Sequence, residues 1–408
     1  MHHRALLARA SKRLRRRCTG PDVRHGPDCT RRCGRQIAGE RLRGSAIGKA
    51  RLAYLVLSVA WLILVPDAVT AAPLGADAVD AIATQALKQN GIPGLALLVM
   101  RNGSIKHIGT YGFANLEHRV PVKRDTVFQS GSLGKQFTAA AVLLLVERGK
   151  LALEDRIGKY LPARPPAWAP ITVRQLLEHT SGIRDSEDGG EVFDLRREYT
   201  DDEIIAVAES YPLDFPPGSR WKYNNMGYIL AGILVTRVSG MFYGEFLARE
   251  VFKPLGMRTA RIISDSEIVQ NRAAGYVRVR SGVRNQDFVS AALNATADGS
   301  LYLSLDDWAA WIQALDRRAL LSAESYASLW GYTRTTDGQE WPHGYVWDHA
   351  QIAGHEVLEF DGSWQGFRTA IERDPASALT VVVLANLAEA DPLKIARAVL
   401  TATANFRP

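Results

Sequence analysis

The order of strand-like and helix-like segments limits the folds available to this chain of 408 residues. Both ends carry alternating apolar patterns, whereas helices and loops dominate from about 125 to 291. The predicted elements at the two ends are a helix over 77–89, strands over 95–100, 104–111, 357–360, 366–372 and 379–384, and a closing helix over 391–404. We therefore expect an α/β (α+β) fold. One antiparallel sheet, flanked by helices, is built from both chain ends around an inserted all-helical subdomain.

The first seventy residues differ in charge from the rest. The chain carries a net charge of +7, but 15 of its 50 basic and 3 of its 43 acidic residues lie in 1–51, which leaves −5 for the remainder. An uncharged apolar run over 52–65 follows, and small residues lead to Ala72. This order is typical of a secretory signal peptide cleaved near Ala71. We predict a leader with signal peptide or anchor over 1–71 and a periplasmic or secreted body over 72–408.

Two alternatives for this leader stay open. The run over 52–65 could remain as an uncleaved membrane anchor, although it is shorter than the roughly 20 residues that a span needs. The basic stretch could also be an arm that binds nucleic acid, but an export signal argues against that. We expect no nucleic-acid partner, and membrane contact only if the segment is retained.

The distribution of metal-ligating side chains predicts neither a metal nor a cofactor. All three cysteines lie within the first 33 residues, so the body has no thiol nucleophile and no disulfide. His343, His349 and His355 lack the spacing of metal ligands. The acidic stretch 185–191 lacks the alternating oxygen ligands of a calcium loop, and we expect a solvated loop near a cleft.

Ser132 and Lys135 precede an apolar run over 137–146 that predicts a buried helix. Residues at i and i+3 share one helix face, so the lysine amine can reach the serine hydroxyl. A serine needs an adjacent base to act as a nucleophile, and a lysine serves when its surroundings favour the neutral amine. Alone, the pair is more typical of a helix cap and a solvated charge. The same spacing recurs at Ser219 and Lys222, after a Pro-Pro-Gly turn.

Tyr223-Asn224-Asn225 is the only Tyr-x-Asn in the chain and enters a predicted helix over 226–238. A phenol near a lysine can pass a proton between nucleophile and leaving group. The Asn225 amide can hold a lysine and a substrate carbonyl together. A buried tyrosine beside a capping asparagine would give the same letters.

Glycines bracket a strand end over 360–367, Phe-Asp-Gly-Ser-Trp-Gln-Gly-Phe. Gly362 permits close approach of a substrate backbone, and the Ser363 N–H could be an oxyanion donor beside that of Ser132. A plain bulge or turn is the alternative.

Four ordered motifs together resemble the serine β-lactamase-like family of penicillin-recognising hydrolases, closest to its class C, D-alanyl-D-alanine carboxypeptidase and esterase branches. They are Ser-Leu-Gly-Lys at 132–135, Leu-Leu-Glu-His-Thr-Ser-Gly at 176–182, Tyr-Asn-Asn at 223–225 and Gly-Ser-Trp-Gln-Gly at 362–366. The resemblance spans roughly 77–404. It implies a β-lactamase/transpeptidase-like fold over 72–408, with the helical subdomain at about 125–291.

The same resemblance implies an acyl-serine mechanism and a role for each motif residue. Ser132 is the nucleophile, Lys135 its base and Tyr223 the proton shuttle. Asn225 binds substrate and orients the lysine, and the Ser132 and Ser363 N–H groups form the oxyanion hole. Substrates would be small esters, amides or peptidoglycan-like molecules.

The chain departs from that family at Phe360, where Lys-Thr-Gly or His-x-Gly is usual. Phenylalanine cannot hold a substrate carboxylate, and Asp361 would repel one. We therefore expect neutral esters or amides rather than penicillins. A catalytically silent module that binds peptidoglycan or a protein is the alternative. An α/β-hydrolase is disfavoured because no serine lies in Gly-x-Ser-x-Gly.

Some other motif residues have weaker links to chemistry. The resemblance assigns His179 to loop structure rather than to catalysis. Trp221, Trp347 and Trp364 could line an acyl pocket, although tryptophan is usually buried for packing.

Overall fold

The computed structural model describes most of the chain beyond its first 75 residues, over 76–161, 165–186, 192–263, 266–352 and 354–403. All of these lie in the second of two units, Val69–Pro408. The predicted leader over 1–71 lies outside the described residues and stays a prediction.

The described residues form fourteen strands. In chain order they are β1 Gly94–Arg101, β2 Ser104–Asn115, β3 Val120–Pro121, β4 Phe128–Gln129, β5 Arg261–Ile262, β6 Tyr276–Val279, β7 Gly282–Asn285, β8 Leu301–Leu303, β9 Thr333–Arg334, β10 Glu340–Trp341, β11 Asp348–Ile352, β12 His355–Trp364, β13 Phe367–Asp374 and β14 Leu379–Ala385.

Seven of these strands form one sheet in the order β11-β12-β13-β14-β1-β2-β3. Its neighbouring strands are antiparallel, and β1 pairs with β14 so that Leu95 lies opposite Ala385. The N-terminal and C-terminal strands therefore meet in the middle of the sheet. The predicted fold class, with one antiparallel sheet built from both chain ends, is confirmed.

Both faces of this sheet are buried. Val381 and Val383 of β14 belong to one apolar cluster, whereas Val382 and Leu384 belong to another on the opposite face. Because successive side chains of a strand point to opposite faces, β14 reads as a continuous apolar run.

The described residues form ten α-helices. They are α1 Ala76–Gln89, α2 Lys135–Glu147, α3 Val173–Leu177, α4 Asp201–Glu209, α5 Asn225–Ser239, α6 Tyr243–Leu247, α7 Lys253–Leu255, α8 Leu305–Arg317, α9 Ala323–Trp330 and α10 Pro392–Thr403.

The helices divide between the two faces of the sheet. Helices α1 and α10 cover one face, where Val79 and Val399 pack against it. Helices α2, α5 and α8 share the larger cluster on the other face, and α2 is buried along most of its length. Four short strands, β4 to β7, lie within 125–291, and α8 and α9 follow it. The boundary of the helical subdomain remains a prediction.

Candidate active site

Ser132 lies in a 3₁₀ turn, Gly131–Gly134, and Lys135 begins α2 directly after it. The spacing predicted one α-helical turn for both residues, and that prediction was wrong in the type of turn. A 3₁₀ helix has three residues per turn, and side chains at i and i+3 therefore eclipse. Lys135 Nζ accordingly lies 3.0 Å from Ser132 Oγ, within hydrogen-bonding distance.

Lys135 is fully buried, and two carbonyl oxygens orient its amine. Nζ donates to Asn225 Oδ1 at 2.8 Å and to the backbone carbonyl of Asp298 at 2.6 Å. Carbonyl oxygens only accept, so each takes one N–H. If the amine is neutral and its two N–H groups bind these carbonyls, its lone pair is left to accept the proton of Ser132 Oγ. Sequence reasoning missed Asp298, because a main-chain carbonyl leaves no signal in the residue type.

Tyr223 completes the contacts of the serine hydroxyl. Its OH donates to Ser132 Oγ at 2.6 Å, and Lys135 Nζ lies 5.0 Å from the centre of its ring. Ser132 Oγ thus has an amine and a phenol within hydrogen-bonding distance. The structure brings together Ser132, Lys135, Tyr223 and Asn225 as the motifs predict.

His179 lies behind Tyr223, not beside the serine. Its ring stacks on the Tyr223 ring at a centroid distance of 4.8 Å, and its Nδ1 accepts the backbone N–H of Asn224 at 2.9 Å. Burial, reinforced by His343 and Lys135, lowers the pKa of His179 well below its ordinary value. A neutral imidazole in this position holds the Tyr223 loop.

Two side chains fix the start of α5, where Asn225 lies. Asn224 is the N-cap, and its side chain accepts the Gly227 N–H at 2.6 Å. Asp185 Oδ1 accepts the N–H of Asn225 at 2.6 Å and that of Met226 at 3.3 Å. Asn225 therefore reaches Lys135 from an anchored backbone.

The prediction that Asp185 lies in a solvated loop was wrong. The residue is 7% exposed. Burial raises the pKa of its carboxyl group, while the backbone N–H donors of Asn225, Met226 and Ser186 and the charge of Lys135 oppose that shift. The contact spans 40 residues of sequence, so no local pattern could have indicated it.

Gly131 and Gly362 allow β12 to lie against the 3₁₀ turn. A Cβ at Gly131, whose φ is +54°, would be 2.5 Å from the Ser363 nitrogen, and one at Gly362 would be 2.9 Å from the Ser132 nitrogen. Strand β11 pairs with β12 only as far as Glu359, so the later residues of that edge lie beyond its reach. The Ser132 and Ser363 N–H groups can thus serve one oxyanion.

A cleft of about 290 Å³ opens above the serine. Its described lining residues are Ser132, Tyr223, Asn225, Asp298, Gly299, Asp348, Phe360, Asp361, Ser363 and Trp364. This set contains three aspartates and no lysine or arginine.

Phe360 is buried and has its ring 6.5 Å from that of Tyr223. Partial desolvation raises the pKa of Asp361, and Arg368, with a nitrogen 3.7 Å away, opposes the shift. Asp348 Oδ1 lies 2.5 Å from His343 Nδ1. Phe360 therefore places an aromatic ring at the position where the family pattern has a cation, and the described lining residues include no lysine or arginine.

Comparison with known proteins agrees with this geometry. A family model described as Beta-lactamase matches residues 79–405. The chain belongs to the beta-lactamase family. The resemblance inferred from the four motifs is confirmed, and the protein is a serine hydrolase of this family.

The similar proteins include hydrolases and penicillin-binding proteins. The chain is 27% identical over 311 residues to penicillin-binding protein 4* of Bacillus subtilis, covering 72% of this chain and 68% of that one. It is 34% identical over 200 residues to the esterase EstB of Burkholderia gladioli, covering 45% and 51%. An octameric penicillin-binding protein homologue from Pyrococcus abyssi matches in structure with a TM-score of 0.69 and 26% identity, covering 80% and 77%.

Within this beta-lactamase-family chain, the second Ser-x-x-Lys is a surface feature. Ser219 Oγ donates to the carbonyl of Pro216 at 2.7 Å, while Lys222 Nζ pairs with Asp214 Oδ2 at 2.7 Å. The two side chains therefore bind different partners, and only Ser132 and Lys135 meet.

The three tryptophans proposed for an acyl pocket have different positions. Trp364 lines the cleft. Trp347 is 1% exposed and lies in the core, and Trp221 stacks on Trp341 at 5.6 Å.

No group of three or more potential metal ligands occurs in the described part of the chain. In that part no single helix has both the length and the hydropathy to cross a membrane. The pair Asn225–Ser239 and Tyr243–Leu255 reaches them only jointly, with a bend of 74°.

Proposed function

We propose that this protein is an exported hydrolase that cleaves neutral esters or amides through an acyl-serine intermediate. The observation that carries the proposal is the position of Ser132 Oγ, 3.0 Å from Lys135 Nζ and 2.6 Å from the Tyr223 hydroxyl. The proposal that the protein is exported depends only on the sequence of residues 1–71.

In the acylation step, Ser132 attacks the substrate carbonyl carbon and transfers its proton to Lys135. The two carbonyl acceptors of the lysine hold its lone pair toward the serine, so the base needs no rearrangement. The negative charge that develops on the carbonyl oxygen lies between the Ser132 and Ser363 N–H groups.

Collapse of the tetrahedral intermediate breaks the bond to the leaving oxygen or nitrogen. Tyr223 donates its proton to that atom, and the proton held by Lys135 replaces it. The alcohol or amine departs and leaves Ser132 acylated. Water then attacks the ester carbon with the same groups as proton acceptors and donors, which releases the acid and regenerates Ser132.

The charge of the cleft supports neutral substrates. A carboxylate beside Phe360 would face Asp348 and Asp361 without a cation among the described lining residues. Like charges repel, so this lining disfavours a substrate carboxylate. Penicillins and D-alanyl peptides carry such a carboxylate, whereas simple esters and amides do not.

A substrate panel tests the proposal. The purified chain is assayed with p-nitrophenyl acetate, D-amino acid amides and a cephalosporin, and kcat/KM is compared. We expect the aryl ester and the amides, which lack a carboxylate, to be preferred over the cephalosporin. Hydrolysis of the cephalosporin much faster than of the aryl ester would contradict the charge argument. Inactivity on every substrate would favour the silent binding module.

A further inference from the structure

A second cavity of about 580 Å³ adjoins the cleft. Asp298, Ser363 and Trp364 line both spaces, so the two lie side by side at the end of β12. We propose that this side cavity binds the acyl group of the substrate and selects large apolar acyl groups. The inference rests on the proposed function and adds the substrate class.

The lining of the side cavity is largely apolar. It includes the side chains of Phe193, Leu195, Ile229, Val277 and Leu293. Its volume falls in the range of about 300–1,000 Å³ that is typical of small-molecule sites. Such a lining gains free energy from alkyl or aryl groups in proportion to the area that they bury.

The position of Tyr223 determines whether the acyl group or the leaving group of the substrate enters the side cavity. In the proposed mechanism Tyr223 protonates the leaving group, which must therefore lie on the Tyr223 and Phe360 side of Ser132. The carbonyl oxygen lies at the Ser132 and Ser363 N–H groups. The third substituent, the acyl chain, is left with the direction along β12 toward Trp364, where the side cavity opens.

Trp364 lies at the boundary of the cleft and the side cavity, and hydrogen bonds hold its indole in place. Its Nε1 donates to Asn294 Oδ1 at 2.8 Å, and Asn294 also accepts from Gln129 Nε2 at 2.8 Å. An indole held by this network can guide an extended acyl chain from the serine into the cavity.

Charge restricts the acyl group further. The described lining holds Asp287 and Asp298 and no lysine or arginine. Arg284 pairs with Asp287 at 2.8 Å, but the Oδ1 atom of buried Asp298 has no hydrogen-bond partner. An acyl chain that ends in a carboxylate would therefore be disfavoured relative to an uncharged one.

A pair of ester series tests the assignment. In the first, p-nitrophenyl acetate, butyrate, hexanoate and octanoate vary the acyl group. In the second, acetate esters of longer alcohols vary the leaving group. We expect kcat/KM to rise about fourfold per methylene in the acyl series, equivalent to about 0.8 kcal/mol for each buried CH₂, and to stay nearly flat in the alcohol series.

Two substitutions place a larger side chain in the cavity. Val277→Trp does so at a half-buried position of β6, and Leu195→Trp at a half-buried position in another part of the lining. We expect either change to lower the octanoate-to-acetate ratio of kcat/KM at least tenfold. Val279→Trp is the matched control, since Val279 is half-buried on the same strand and lies outside the described lining. Melting curves of all three variants verify folding, and Val279→Trp should keep the wild-type ratio.

The outcomes separate the inference from the proposed function. Inactivity of the wild type on every ester contradicts the proposed function. Hydrolysis without dependence on acyl length, or a ratio that both cavity variants leave unchanged, overturns the cavity assignment alone. Length dependence in the alcohol series instead would place the leaving group there and also overturn it.

Discussion

Asp185 Oδ1 accepts the backbone N–H of Asn225 at 2.6 Å, and so joins a loop residue to the helix that orients the buried lysine. The Asn225 side chain in turn accepts from Lys135 Nζ at 2.8 Å. The Asp185 carboxylate thus acts on Lys135 through Asn225.

Asp185→Ala should reduce both stability and activity. The change leaves buried N–H groups of α5 without an acceptor, which costs about 1–3 kcal/mol for an unsatisfied group. We expect kcat on an aryl ester to fall at least tenfold as Asn225 loses its anchor. Urea unfolding and steady-state kinetics measure the two effects. Asp214→Ala removes a carboxylate that pairs with exposed Lys222 and should change neither quantity much. Equal effects of the two variants would contradict the account.

Gly131→Ala should abolish most activity, because the new Cβ would lie 2.5 Å from the Ser363 nitrogen. A left-handed backbone by itself costs a non-glycine residue about 1–2 kcal/mol. Gly149→Ala separates the two causes: Gly149 has φ +64° but no atom within 4 Å of a Cβ. Thermal unfolding should show a loss in both variants, and only Gly131→Ala should lose esterase activity. Full activity of Gly131→Ala would remove the oxyanion argument.

Asp361→Asn should improve the handling of carboxylate substrates. The side chain is about half exposed and lines the cleft. Removing its charge should raise kcat/KM for a cephalosporin relative to an aryl ester about threefold to tenfold at low salt. Because salt screens exposed charges, the gain should shrink as ionic strength rises. Asp202→Asn, which removes another exposed carboxylate, should leave the ratio unchanged. The same ratio in both variants would show that Asp361 does not select against carboxylates.

Glu178 predicts a pH dependence of stability. Burial raises the pKa of its carboxyl group from 4.5 to about 7, although Arg174 opposes the shift. The folded state holds this proton more tightly than the unfolded state, so the free energy of unfolding should fall as pH rises from about 4.5 to about 7 and then level off. The fall should be on the order of 3 kcal/mol at most.

Glu178→Gln should flatten that part of the profile in urea titrations at several pH values. Glu324→Gln is the control, since Glu324 is an exposed glutamate on α9 that takes no part in the shift of Glu178. A profile that keeps its slope in Glu178→Gln would contradict the assignment.

The elements and site residues that the sequence predicts are those that depend on local sequence patterns. Continuous apolar runs mark strands such as β14 and the buried helix α2, and the Asn-Gly turn sets the pairing of β1 with β2. Motif spacing also placed Ser132 beside Lys135, because side chains at i and i+3 share one face in an α-helix and in a 3₁₀ helix alike.

The parts that the sequence did not predict depend on contacts between distant segments. In the sequence Asp185 is one of several acidic residues in a loop, and only the structure shows that it accepts N–H groups at the start of α5. The Asp298 carbonyl on Lys135 is a backbone group, and the side cavity is formed by segments from five parts of the chain. Short strands such as β6 and β7 were not predicted, because a four-residue pattern in a strand cannot be distinguished from one in a loop.

The most direct test of the central claim is the mass of the protein after reaction with a fluorophosphonate probe. We expect one adduct, on the peptide that contains Ser132, and none in Ser132→Ala. Ser219→Ala is the matched control, since Ser219 has the same spacing to a lysine on the surface, and it should be labelled like the wild type. Labelling that persists in Ser132→Ala, or disappears in Ser219→Ala, would contradict the assignment of Ser132 as the nucleophile.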